Sequence, residues 1–304
     1  LLLGECKEAA GQVIVADVGI YAKDESGYAR LLDDEILSKA PVRSVSANKG
    51  SCGKLLVIAG SENIYGACYL AAEAALVAGA GLVKIYTHVN NIQAIREALP
   101  EAMYLGYDSF NRDELLEQLQ WADTVLMGPG LGMSETAEEL VVTTLEHFTG
   151  PMVIDADGIN LTAKHLDLLK KYTSPVVLTP HLKEMERLTS TKTADINYDM
   201  ERVASIFATR HKCTVILKNF TTVIANAYTI SYCNSGNEGL ATPGSGDVLA
   251  GITASLLAQG CVAEDAASIA AYTHGCAGRR ASERVGVKSV LARDIIEELR
   301  INKN

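Results

Sequence analysis

From Lys54 onward, short apolar runs alternate with longer stretches in which apolar residues return every three or four positions. The runs Leu55–Ala59, Leu82–Tyr86, Ala102–Leu105, Thr124–Met127, Met152–Asp155, Val176–Thr179 and Thr214–Lys218 predict strands, mostly buried on both faces. Between them Tyr65–Ala78, Ile92–Leu99, Asp113–Trp121, Glu135–Phe148 and Met200–Arg210 carry helical periodicity, and Gly79 and Gly81 end the first of these. Two β-rich pieces, Thr221–Ala225 and Tyr228–Tyr232, come next, and the helices Glu264–Glu283 and Ala292–Leu299 follow the glycine-rich stretch after them. Strands alternating with helices imply an α/β fold with a mostly parallel central sheet and helices on both faces. No internal repeat or low-complexity segment interrupts the series, so residues 41–304 are expected to form one domain.

Residues 1–40 stand outside this alternation. The segment VIVADVGI reads as a short strand and Lys23–Arg30 as a polar connection, while Glu5, Lys7 and Glu8 deny the stretch the basic start of a secretory signal. A linker, or the remnant of an upstream domain, is expected there. No membrane span is expected either, because the apolar run after Asp247 is broken by Thr253, Ser255 and Gln259, well short of ~18 apolar residues.

Composition narrows the partners. The 27 Lys and Arg against 37 Asp and Glu leave a net charge of −10, and no basic cluster of five or more occurs, which argues against nucleic acid and anionic membranes as partners. The 7 cysteines are odd in number, scattered and without a CxxC pair, so neither a disulfide framework nor a zinc site is suggested, and a cytoplasmic location fits.

The densest chemical signal is Gly236–Gly260, a glycine-punctuated loop that runs into an apolar helix beginning near Val248. Gly244, Ser245 and Gly246 precede Asp247, so free backbone amides at the positive end of a helix can cradle an anion. Asp247 is then either a first-turn acid or a base that takes a proton from a hydroxyl attacking a bound phosphoryl group. Other punctuated segments follow predicted strands, where ligands gather in parallel sheets. Gly128-Pro129-Gly130-Leu131-Gly132 lacks the spacing of a dinucleotide fingerprint and is either a simple turn or part of a site. Asp155 and Asp157 can orient a hydroxyl, organise solvated magnesium, or cap the next helix. His181 and Glu184, three apart at a helix start, share a face. Lys218 can reach a phosphate or simply flank its strand. The segment Lys49–Lys54 precedes its strand and has Leu55 where Ser or Thr would be required, so it is not a Walker A loop. The histidines at 88, 147, 165, 211 and 274 have no partner at useful spacing and are expected to be structural or on the surface.

Taken in order, these motifs resemble the ADP/ATP-dependent NAD(P)H-hydrate dehydratases, which have a ribokinase-like fold. The resemblance runs from about residue 45 to the C-terminus through KGSCGKLLVIAGSENIYGACYLAAEAALVAGAGLV, GPGLG, DADGIN, LTPHLKE, ILKNFTTVI and GNEGLATPGSGDVLAGITASLLAQG. VIVADVGI is similar to the end of the epimerase domain that precedes the dehydratase in bifunctional members. The resemblance implies nucleotide-dependent dehydration of NADHX and NADPHX, with ADP or ATP as phosphoryl donor and Mg2+ as cofactor. It implies Asp247 as the catalytic base that also meets the substrate, together with Ala67, Gly130, Gly132 and His181. It places the nucleotide against Lys218, Asn219, Phe220, Thr221, Thr222, Gly244, Ser245 and Gly246, and magnesium near Glu184, through water. It also implies a homo-oligomer, a tetramer. Pro243 and Ser245 depart from the family's usual Gly and Thr, and Asn219 from its usual Gly. A hydroxyl kinase of the same fold, of thiazole or hydroxymethylpyrimidine type, is the alternative reading. A silent nucleotide-binding module is a third, against which Asp247 speaks.

Overall fold

The computed structural model describes residues 29–301. Ten strands form one sheet: β1 (Arg30–Leu31), β2 (Lys54–Ile58), β3 (Leu82–His88), β4 (Met103–Tyr107), β5 (Thr124–Met127), β6 (Met152–Ile154), β7 (Val176–Leu178), β8 (Thr214–Leu217), β9 (Thr222–Ala225) and β10 (Ile230–Cys233). Their spatial order is β1-β10-β9-β8-β7-β6-β5-β2-β3-β4. Every pairing is parallel except β8 with β9 and β9 with β10, so β9 alone runs against the rest. The helices are α1 (Gly66–Val77), α2 (Ile92–Ala98), α3 (Arg112–Trp121), α4 (Glu135–His147), α5 (Ala156–Thr162), α6 (Leu166–Lys171), α7 (Leu182–Thr189), α8 (Thr193–Tyr198), α9 (Met200–His211), α10 (Ser245–Ala258), α11 (Ala263–Val285) and α12 (Ala292–Glu297).

The unbroken apolar runs are explained by burial on both sides. In β2, Leu55 and Val57 enter the core beneath α1, α10, α11 and α12, while Leu56 and Ile58 enter the core beneath α3, α4, α7 and α9. Alanine in α1 is a packing requirement, since Ala71, Ala72, Ala74 and Ala75 are fully buried. A Cβ on Gly251 of α10 would stand 2.2 Å from the Ala71 carbonyl oxygen, so the two helices cross at backbone distance.

Two differences from the sequence reading have physical causes. Helices α6 and α8, of six residues each, were not anticipated, since a turn and a half between polar neighbours displays no clear helical period. Residues 30–40, upstream of the boundary expected at 40/41, are built into the domain: β1 extends the sheet beside β10, Leu32, Ile36 and Ala40 are buried, and Lys39 pairs with Asp265 of α11 at 2.7 Å. The expected strand VIVADVGI lies outside the described residues. Among the described residues no helix is long and apolar enough to cross a membrane.

Candidate active site

The parallel strands deliver their loops to one rim, and close backbone contacts lock those loops together. Gly128, after β5, has φ +121°, and a Cβ there would lie 1.9 Å from the Asp155 carbonyl oxygen and 2.6 Å from the Gly158 nitrogen. The GPGLG turn is therefore more than a chain reversal, because it interlocks with the loop after β6. The Gly132 amide donates to Asp157 Oδ2 at 2.9 Å, and the Gly60 amide donates to the Pro129 carbonyl at 2.8 Å. Gly130, at φ +60°, sits against Ile64 and Ala67, so that a Cβ there would stand 2.7 Å from Ile64 Cγ2 and 3.0 Å from the Ala67 Cβ. Gly132 faces Ser61. The structure thus brings Ala67, Gly130 and Gly132 to one wall.

Asp155 holds the centre. It occupies the N-cap position of α5 but its side chain does not cap that helix. Instead the carboxylate, only 1% exposed, accepts from Thr179 Oγ1 at 2.6 Å and from Lys218 Nζ at 3.1 Å. Burial opposes the Lys218 charge, but Asp155, Glu184 and Asp247 outweigh it and raise the ammonium above its ordinary value. The Lys218 backbone is fixed by its amide donating to the Pro180 carbonyl at 2.8 Å, next to His181. Removing this cation leaves Asp155 buried and uncompensated. Lys218→Met is expected to destabilise the fold by about 2–3 kcal/mol, discounted from a fully buried pair because the lysine is partly exposed. Asp155→Asn should cost less, and denaturant unfolding of the two variants checks the order.

His181 and Glu184 form a reciprocal capping box at the start of α7. His181 Nδ1 accepts from the Lys183 and Glu184 amides at 3.0 and 3.2 Å, and Glu184 Oε2 accepts from the His181 amide at 2.8 Å. That leaves the other histidine nitrogen and Glu184 Oε1 facing each other at 3.4 Å. Burial lowers the His181 pKa, with Lys218 and Arg187 adding to the effect. Burial also raises the Glu184 carboxyl, against the pull of Lys218.

The glycine-rich loop closes the site. Helix α10 begins at Ser245, three residues before the start expected from sequence, so Ser245, Gly246 and Asp247 are its first turn. The cause is Gly244, whose φ of +87° makes the corner, and which Leu70 and Ala292 crowd so closely that a Cβ would lie 2.4 Å from the leucine. Lys218 Nζ lies 3.3 Å from where a Gly246 Cβ would stand, which puts the ammonium at the positive end of the helix. Asp247 is pushed up to about 7 by burial first and then by Asp155, with Lys218 opposing and Asp157 adding to the rise. Ser245 is buried, and its hydroxyl lies 3.1 Å from His274 Nε2 of α11. The burial of His274 brings its pKa down to about 4, against a backbone hydrogen bond with Ser245 and with a smaller contribution from Lys218.

Asn219, Phe220, Thr221 and Thr222 form the β8–β9 turn beyond Lys218. Asn219 Nδ2 donates to Asn197 Oδ1 at 2.7 Å, Phe220 is half exposed, and Thr221 is buried. Sequence reasoning missed the Thr179–Asp155–Lys218 chain and the Ser245–His274 contact. Both join residues far apart in sequence, 24 and 63 positions for the first and 29 for the second, so no local pattern announces them. Among the described residues no group of three His, Cys, Asp or Glu side chains is arranged to hold a metal ion by itself.

Fold and site together define a ribokinase-like α/β protein. The chain belongs to the NAD(P)H-hydrate dehydratase family, whose model matches residues 55–300. It is 38% identical over 302 residues to the bifunctional NAD(P)H-hydrate repair enzyme of Moorella thermoacetica, covering 95% of this chain and 57% of that protein. It is 35% identical to the ADP-dependent (S)-NAD(P)H-hydrate dehydratase of Neisseria meningitidis, covering 86% of this chain and 88% of that one. The ADP/ATP-dependent NAD(P)H-hydrate dehydratase of Bacillus subtilis, co-crystallised with ATP and Mg2+, superposes with a TM-score of 0.77 at 26% identity, over 89% of this chain and 96% of that one. The chain spans little more than half the length of the bifunctional relatives it matches.

Proposed function

We propose that this chain uses ADP or ATP to dehydrate NADHX and NADPHX, returning NADH and NADPH. The observation that carries the reading is Asp247, a carboxyl pushed up to about 7 inside the first turn of α10, beside backbone amides that can hold a phosphoryl group. At neutral pH such a group accepts a proton from the ring hydroxyl as that oxygen attacks the terminal phosphorus of the nucleotide. The P–O bond to the leaving nucleotide breaks, the C–O bond of the phosphorylated ring then breaks to release phosphate, and loss of a proton from the adjacent ring carbon to solvent restores the ring double bond. The amides of Gly244, Ser245 and Gly246, with Lys218, stabilise the charge that develops on the transferring group. Ala67, Gly130, Gly132 and His181 bound the hydrated nicotinamide, and the Lys218–Thr222 turn meets the nucleotide. Glu184 would hold Mg2+ through water, where the ion neutralises the nucleotide phosphates.

The test is recovery of NADH absorbance from NADHX on adding ADP or ATP, each measured alone. Nucleotide-dependent recovery without a lasting phosphorylated alcohol is expected, and accumulation of a stable phosphorylated alcohol would replace the dehydratase by a kinase. We also read residues 41–304 as the dehydratase domain and 1–40 as its join to an upstream epimerase domain, with 30–40 packed onto the former. The relatives' bifunctional names support that reading. A cytoplasmic homo-oligomer, a tetramer, completes it. Light scattering tests the tetramer.

A further inference from the structure

We propose that His274 is a positioning residue for the phosphoryl-binding turn: its Nε2–H donates to Ser245 Oγ, which turns the serine O–H outward as an additional donor to the transferring phosphoryl group. The inference rests on the role proposed above for Gly244–Asp247. It starts from the placement of α11. Gly275 lets the loop after β10 lie directly on that helix, since a Cβ there would stand 2.0 Å from Ser235 Oγ and 2.7 Å from the Gly236 nitrogen. Gly278 does the same for Leu240, at 2.3 Å. Ser235 Oγ donates to the Tyr272 carbonyl at 3.0 Å, and Ser282 Oγ reaches Asn237 Oδ1 at 3.0 Å. The loop that leads into the turn is thus pinned along α11 on both sides of His274, and the imidazole comes to rest beneath the first residue of α10.

His274 is 7% exposed and Ser245 6%, so each is the other's partner in place of water. The ring is neutral across the physiological range, as its depressed pKa requires. A neutral imidazole has one N–H and one bare nitrogen, and the choice decides what the serine offers. If Nε2 carries the hydrogen, Ser245 accepts from it and its own O–H is free for an anion. If Nε2 is bare, the serine O–H is consumed and only lone pairs face the phosphoryl group, which repels it. Ser245 stands at a departure from the family's usual Thr, and a smaller, more mobile hydroxyl gains more from being held.

The experiment has two arms. 15N NMR of the imidazole should show His274 as the Nε2–H tautomer from pH 6 to 8; the Nδ1–H tautomer would overturn the proposal. In turnover of NADHX, Ser245→Ala and His274→Leu should each lower kcat roughly 10-fold with little change in nucleotide KM, less than the loss of a principal oxyanion donor. The double variant should be no worse than either single, and His274→Gln, which keeps an N–H donor, should recover most of the rate. Additive losses, or no recovery by Gln at a temperature where the variants are folded, would overturn it. If the wild-type protein shows no nucleotide-dependent turnover of NADHX, the dehydratase reading fails on its own. The same coupling, read in the affinity for ADP with fluoroaluminate, and the tautomer still decide on His274.

Discussion

Asp247→Asn will lower turnover of NADHX by ~10²-fold or more, the scale on which a positioned acid–base group acts, while ADP affinity stays within a few-fold of wild type. Asn keeps the shape and the neutral hydrogen-bonding of the protonated acid but cannot take a proton. The pH profile should identify the same group. With the carboxyl pushed up to about 7, kcat/KM of the free enzyme rises with pH, reaches half its plateau near 7, and is lost as pH falls further, because only the ionised form is a base.

Stability should move the other way. The folded-state pKa of Asp247 lies above its unfolded value, so the native protein binds this proton more tightly than the unfolded chain does. Its favourable contribution is complete below about pH 4 and is lost as pH rises through about 7. Above that, ionised Asp247 costs about 4 kcal/mol relative to an unperturbed carboxyl. Asp247→Asn removes the cost, so the variant's Tm should exceed that of wild type by several degrees at pH 8 and match it near pH 4. An inactive variant that is also less stable at pH 8 would mean the loss reflects damage to the turn rather than removal of a base.

How much of this was legible in the sequence depends on whether a feature is local. Strands β2, β5, β6, β7 and β8 were readable because burial on both faces makes them almost unbroken apolar runs. The Gly-Ser-Gly-Asp turn was readable because a phosphate cradle has a local composition. The state of Asp247 was not, since its raised pKa is the work of burial and of Asp155, 92 positions away. Of the readings left open for Asp155, the structure sets aside the cap: its carboxylate does not cap the next helix but anchors Lys218 and Thr179 from the centre of the rim. His274 looked idle because its partner is brought to it only when the loop after β10 settles onto Gly275 and Gly278. A boundary at residue 40 looked natural because polar composition hides two apolar pairs, Leu31-Leu32 and Ile36-Leu37, of which Leu32 and Ile36 close the edge of the core.

The largest loss of stability is expected at Gly128, where the site and the fold depend on the same atom being absent. Alanine there meets two separate penalties. Its φ of +121° is a conformation that side chains avoid, costing ~1–3 kcal/mol. Its methyl group would also stand 1.9 Å from the Asp155 carbonyl oxygen. The obstacle is backbone, not the end of a flexible side chain, so relief requires the loop after β6 to withdraw. Overpacking of that kind adds ~1–3 kcal/mol. Gly128→Ala is therefore expected to lose about 4 kcal/mol and roughly 10 °C in Tm, at ~2–4 °C per kcal/mol for domains of this size. The withdrawal also displaces Asp155 and Asp157, so turnover should fall well below wild type even where the variant remains folded. Gly260→Ala separates the two penalties. Gly260 has a similarly positive φ, +86°, but nothing lies within 4 Å of a Cβ there, so strain acts alone and the loss should stay near ~1 kcal/mol with activity intact. Equal losses at the two positions would show that strain sets the cost at both, and that the loops after β5 and β6 can part without harm to the site.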